Sequence, residues 1–409
     1  MKRITECRVC GNTEIKVFLD LGEQPLANSL LDSPDDNDPA YPLSLSWCPE
    51  CNLVQLNHTA DPEELFSEYV WVTGTSKTAH NHAASLYKEI AKRVPDLKKG
   101  YVLEAASNDG TFLKPFVDNG VKVLGIDPAK NIVEMAIKDG IDSECAFFGQ
   151  EAVEKIVEKK GKAKVVFARN VVPHVANLHD FIKGMAAAVG DDGLVMIEAH
   201  YAKIIFEELH YDSIYHEHLC YFTLKSMEAL LKQYGMHVID ITTSPISGGS
   251  LVYYIKKAKS EEKPVVQEYR DEEKKIKLNE WKSWEDFAKR SFDHRRKILD
   301  ILKKASGKTV GYGASARSST LLNFCRITPE HISKIADQNP LKHNKYTAGT
   351  HIIIQNPEEV MKDNPDNMFI LAWNFADEIR DILKERFKFK GKFIIPLPND
   401  PKIIENDIQ

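Results

Sequence analysis

The chain lacks any apolar run long enough to span a bilayer, so no membrane partner is expected. It lacks a long Lys/Arg block, and 60 acidic against 54 basic side chains leave a net charge of -6. A non-specific nucleic-acid binder needs the opposite balance, and none is expected here. No internal repeat and no low-complexity tract is present. The opening stretch MKRITECRVCGN is cationic but has no apolar h-region, so it is not a secretory signal, and a cytoplasmic, monomeric protein is expected. At 409 residues the chain exceeds what one hydrophobic core usually serves, which predicts two or three domains.

Of only seven cysteines, four form two C-x-x-C pairs, Cys7 with Cys10 and Cys48 with Cys51. In a reducing compartment such pairs hold metal more readily than they form disulfides. Two short knuckles supplying two thiolates each suit a tetrahedral Zn2+ site with no open position, which folds a domain rather than catalyses. The turn-rich first residues make a core too small to stand without such a staple.

From Tyr101 onward, apolar runs alternate with amphipathic segments: YVLEAAS, VKVLGID, KVVFARN, GLVMIEA, HVIDITT and LVYYIKK read as buried strands. The last two are joined too closely for a crossover helix and should pair antiparallel. The pattern predicts an α/β class with a doubly wound sheet. Residues 256–305, rich in Glu, Lys and Arg with apolar positions at three- and four-residue intervals, predict a long bridging helix. KTVGYGAS then begins a second, smaller Rossmann-like unit. The expected domains are 1–70 zinc-binding, 71–255 central, 256–305 helical linker and 306–409 C-terminal.

Four motifs carry chemistry. Glu104 stands at a strand end, followed by Ser107, Asn108, Asp109 and Gly110 in a tight turn, and Asp127 closes the next strand. Small residues let a nucleoside approach the first turn, and an acid after the second strand takes ribose hydroxyls. One glycine stands where a dinucleotide fold has three, which suits phosphate-free S-adenosylmethionine better than NAD. Asn170 and His174 lie just beyond the fourth strand, at the edge where ligands sit in open α/β sheets, and His174 is placed for a substrate oxygen. DSIYHEHLCYF puts Tyr215, His216, Glu217 and His218 in succession: extended, His216 and His218 share a side, whereas one turn brings Tyr215 to His218. The H-E-x-x-H spacing of a catalytic metal is missing, and proton transfer fits better. GYGASARSS, with Gly311, Gly313, Ser315 and Arg317 at a helix start, offers phosphate capture or close strand-helix packing.

Together, CRVCGN, CPECNLVQL, LEAASNDGTFL, HVANLHDF, DSIYHEHLCYF, SGGSL, GYGASARSSTLLN and LAWNFADEI resemble the bacterial nucleotide-sugar C-methyltransferases that make branched deoxysugars such as mycarose and tetronitrose. The resemblance covers nearly the whole chain. It implies a zinc-binding domain, a methyltransferase domain using S-adenosylmethionine, and a Rossmann-like domain binding a nucleotide-linked 4-keto sugar, usually dTDP-linked, methylated at C-3'. It further implies His218 as base with Tyr215 and Glu217 beside it, His174 near the keto oxygen, and Tyr69 reaching over the site. Two other classes are weighed against it. A nicotinamide-dependent sugar oxidoreductase would bind NADH, and a non-catalytic zinc-ribbon binding protein would be indifferent to His218.

Overall fold

The computed structural model describes residues 1–61, 65, 72–244, 249–257 and 260–405. Tyr69 lies outside the described residues.

The cysteine pairs sit at one end of a four-stranded antiparallel sheet, in the order Cys220–Tyr221, Val54–Leu56, Ala40–Trp47, Lys16–Pro25. Leu43, Leu45, Val54 and Leu56 bury the apolar face. The edge strand comes from the end of the Tyr-His-Glu-His segment, far away in sequence, so this sheet is completed by residues outside 1–70.

The central sheet has seven strands, ordered His237–Ser244, Ser250–Lys256, Val189–His200, Ala163–Arg169, Tyr101–Ala105, Lys122–Asp127, Ser143–Cys145. All adjacent pairs are parallel except those made by Ser250–Lys256, which runs antiparallel to both neighbours as its short connection predicts. The strand order reverses between Tyr101–Ala105 and Ala163–Arg169. A crevice opens at the carboxyl ends of strands at such a switch point.

Residues 256–305 hold two helices rather than one, Pro264–Lys275 and Trp281–Lys304. The break has a packing cause. Lys277 takes a left-handed φ of 59°, Leu278 is fully buried, and Trp284 Nε1–H donates to the Leu278 carbonyl at 3.0 Å.

The C-terminal sheet runs Ile354–Gln355, Ile335–Ala336, Thr309–Tyr312, Asn367–Ile370, Lys392–Ile395, Lys402–Ile404, parallel except for the last strand. Its order also reverses, between Thr309–Tyr312 and Asn367–Ile370, and the loops after both strands line the same cavity as the central switch point. Among the described residues no helix is long and apolar enough to cross a membrane.

Candidate active site

At the zinc-binding end, the four Sγ atoms of Cys7, Cys10, Cys48 and Cys51 lie within 4.8 Å of one another, with Cys7 to Cys51 at 3.4 Å and Cys10 to Cys48 at 3.5 Å. Thiolates about 2.3 Å from a tetrahedral zinc stand roughly 3.8 Å apart, so the donor set fits Zn2+ with every position filled by protein. Backbone turns form the knuckles: Gly11 N–H donates to the Cys7 carbonyl and Asn52 N–H to the Cys48 carbonyl, both at 2.9 Å. A zinc ion there supplies a cross-link for a unit with little core of its own. Arg8, between the first two cysteines, donates its N–H to Gln55 Oε1 at 2.8 Å, and Gln55 pairs with Cys220. The metal knuckle therefore braces the segment that carries the histidines.

The main cavity measures about 1420 Å³ and is lined from three sides: the central switch point, the C-terminal switch point, and residues 27–30 of the first unit. On the central side, Ala106, Asn108 and Gly110 have φ of 55°, 50° and 77°. Three alternate residues thus take the left-handed conformation that glycine adopts freely, although only one of them is glycine. Ala106 holds it at a cost of about 1–2 kcal/mol. Strain of that kind persists where the surroundings over-determine it, often at a ligand site.

Asp127 lies on the cavity wall, and its oxygens accept the backbone N–H groups of Asn108 and Ala129, each at 2.9 Å. Each carboxylate oxygen keeps a second lone pair for a hydroxyl. Asn108 also lines the cavity, but its Oδ1 takes the Thr73 N–H, and Asp109 Oδ2 takes the Gly74 N–H at 2.7 Å. These two side chains pin the turn ahead of helix Lys77–Arg93. Ser107 is buried against Gly125 of the next strand, away from the cavity. Glu104 is also buried behind the wall, where burial pushes its carboxyl up to about 8. It reaches the cavity through Arg169, which lies 3.4 Å away and covers the Phe112 ring. Asn170, φ 49°, completes this side.

In the middle of the cavity the Tyr-His-Glu-His segment forms a turn, His218 N–H donating to the Tyr215 carbonyl at 2.9 Å. The turn packs Tyr215 against His218 with ring centroids 4.0 Å apart and planes tilted by 35°, and sends His216 to the opposite side, buried beside Tyr41. His174 stands 4.7 Å from His218 between centroids, and His200 5.9 Å. His218 Nδ1 lies 2.7 Å from the Ser213 carbonyl and His174 Nδ1 lies 2.9 Å from the Glu217 carbonyl. A carbonyl only accepts, so both imidazoles carry a proton on Nδ1, which in neutral His218 leaves Nε2 as the acceptor. Burial holds His218 well below the usual imidazole range, helped by His174 and His200, and pulls His174 down to about 4. Both are neutral near pH 7. Glu217 accepts from Asn28 Nδ2 at 2.6 Å, and burial raises its carboxyl.

On the third side, Ser315 caps helix Ala316–Cys325 through its Oγ, and the first turn of that helix faces the cavity with Arg317, Asn339, Lys342 and Lys345. Gly311 lies within its strand, where an added Cβ would meet Leu371 and Ile335, and Gly313 has φ 94°. Both shape the loop without reaching the cavity. Arg169, His200, Asn28, Asn339, Lys342 and Lys345 are among the wall residues that motif reading did not single out. Only Arg169 had a signal in sequence, a lone cation closing the apolar run KVVFARN.

Three family models match the chain: a zinc binding domain over residues 7–66, a "Methyltransferase domain" over 78–241 and a "C-methyltransferase C-terminal domain" over 245–398. The chain is 33% identical over 411 residues to the C-methyltransferase NovU of Streptomyces niveus, covering 99% of this chain and 98% of that protein. It is 28% identical over 97 residues to a ubiquinone biosynthesis O-methyltransferase of Bartonella bacilliformis, covering 24% of this chain and 39% of the relative. Among solved structures, an S-adenosylmethionine-dependent methyltransferase from Clostridium acetobutylicum aligns with TM-score 0.36 and 10% identity, covering 44% of this chain and 92% of the other.

Proposed function

The chain belongs to the C-methyltransferase family and is an S-adenosylmethionine-dependent C-methyltransferase, and from that premise we propose that it methylates C-3' of a nucleoside-diphosphate-linked 4-keto-deoxysugar, dTDP-linked. One observation carries the reading: a neutral His218, its proton fixed on Nδ1, stands in a cavity between an acid-bearing loop and a base-bearing loop. Asp127, Asn170 and the backbone of Ala106 to Asn108 hold the cofactor's nucleoside. Ser315, Arg317 and Lys342 hold the substrate's diphosphate, with Gly311 and Gly313 shaping that loop.

A carbon beside a ketone loses a proton only when charge spreads onto oxygen as an enolate, so the protein must supply a base at carbon and a donor at oxygen. His218 Nε2 takes the C-3' proton. Its geometry leaves His174 a different part from a standing donor, because neutral His174 has its proton on Nδ1, bound to the Glu217 carbonyl. Tyr215, on the cavity wall, donates its hydroxyl to the C-4' oxygen as negative charge grows there, and His174 lies near that oxygen on the same wall. Glu217, tied to Asn28, holds that arm of the turn in place. S-adenosylmethionine, held by Asp127, Asn170 and the Ala106 to Asn108 backbone, would supply an electrophilic methyl group to the carbon that His218 deprotonates.

The test is incubation with S-adenosylmethionine and a panel of 4-keto nucleotide sugars, read by mass spectrometry. The expected result is a gain of one methylene unit, located at C-3' by NMR. Product methylated only on oxygen or nitrogen would reject the reading.

A further inference from the structure

The turn Tyr211–Ser213 is wholly buried and belongs to the central unit, yet it is gripped by side chains of the C-terminal unit. Trp373 Nε1–H donates to Asp212 Oδ2 at 2.7 Å, Arg317 donates to Asp212 Oδ1 at 3.3 Å, and Thr320 Oγ1–H donates to the Ile214 carbonyl at 2.7 Å. The Arg317 guanidinium lies 4.8 Å from the Trp373 ring centroid, so Arg317, Trp373 and Asp212 form one cluster. Between the two gripped residues lies Ser213, whose carbonyl fixes the His218 proton on Nδ1 at 2.7 Å. The acceptor that orients the base is therefore flanked on both sides by contacts from the other domain.

We propose that Asp212 is a positioning residue that couples anion capture at Arg317 to the orientation of His218. This rests on the phosphate-binding role proposed above for Arg317. A guanidinium has five donors in a fixed fork, and Arg317 is on the cavity wall while one of its terminal nitrogens touches Asp212. An anion arriving from the cavity pulls on the face opposite Asp212. Any movement of the guanidinium is felt by a carboxylate that has no solvent to relax into, one peptide away from the Ser213 carbonyl. Because His218 hydrogen-bonds to that carbonyl, its ring follows. A substrate bearing the diphosphate would then turn its own base into line, and a keto sugar without it would meet a less well-aligned imidazole.

Inorganic pyrophosphate is the probe, added to the full-length, zinc-loaded protein and read by the downfield Nδ1–H resonance of His218, assigned by its loss in His218→Asn. Wild type should bind pyrophosphate and shift that resonance. Asp212→Asn keeps the shape and an oxygen for Trp373 but removes the charge facing Arg317. It should still bind pyrophosphate, lose the shift, and lower kcat about 10-fold, while S-adenosylmethionine affinity by calorimetry stays within 2-fold. Trp373→Phe, which deletes only the indole N–H donated to Asp212, should weaken the shift in the same direction and serves if Asp212→Asn does not fold. A shift of wild-type size in these variants, no shift in wild type, or no pyrophosphate binding to wild type would overturn the coupling. Failure of every 4-keto sugar to be methylated, with the coupling intact, would instead strike the substrate assignment alone.

Discussion

The carboxyl edge of the central sheet and that of the C-terminal sheet face one cavity with different side chains. The central edge presents Asp127 and Arg169, with Glu104 buried behind them, and a loop whose alternate left-handed residues open the backbone to a ligand. The C-terminal edge presents Arg317, Lys342 and Lys345 around the first turn of helix Ala316–Cys325. In the function proposed above, the two sheets hold two different nucleotide ends, one through ribose hydroxyls and one through phosphate charge. His218 belongs to neither edge. It is held by a turn between them, on the wall of the shared cavity.

That division can be tested by breaking its parts separately. The largest effect should come from the residue that serves both edges: His218→Asn should lower kcat at least 100-fold while leaving the affinities for S-adenosylmethionine and pyrophosphate unchanged, as measured by mass spectrometry and calorimetry. Next, the two edges should dissociate. Asp127→Asn should weaken S-adenosylmethionine about 10- to 100-fold with pyrophosphate unaffected, and Arg317→Ala should do the reverse, each losing hydrogen bonds to a charged group. If either substitution weakened both ligands alike, the edges would not be separate sites.

A smaller effect concerns pH. His174 is pulled down to about 4 in the folded chain, while an unfolded imidazole takes its proton near pH 6.5. Between those values the unfolded chain binds more protons, so stability present above pH 6.5 is lost as pH falls toward about 4. His174→Asn should flatten that loss by about 2 kcal/mol, allowing for water at the cavity wall, in urea titrations at pH 7 and pH 4.5. The smallest effect should come from Ala106→Gly, which relieves a left-handed alanine but loosens the unfolded chain. A net gain of about 0.5 kcal/mol is expected from thermal unfolding.

Much of this arrangement was legible from sequence where the signal was local. Apolar runs announced the buried strands, and the C-x-x-C spacing announced the thiolate set because two ligands per knuckle are themselves local geometry. The histidine cluster was visible, but its turn was not decided: alternation and a single turn fit the same letters, and the turn is seen only in the fold, where the next residues, Cys220–Tyr221, pair with Val54–Leu56. That pairing joins residues far apart in the chain and leaves no periodic trace. Ser143–Cys145 escaped because its side chains are half-buried or exposed and carry no apolar run. The cofactor loop looked poor in glycine, yet Ala106 and Asn108 take the left-handed conformation anyway. Asn28, Lys342 and Lys345 lie in loops brought to the cavity by tertiary packing, which no spacing rule reports.

Removal of hydrogen from the carbon beside the ketone is the step on which the account turns, and it can be watched without methyl transfer. In heavy water, without S-adenosylmethionine, wild-type protein should exchange the C-3' hydrogen of its 4-keto nucleotide sugar for deuterium, and His218→Asn should not. Equal exchange by the two proteins would contradict the assignment of His218 as the base.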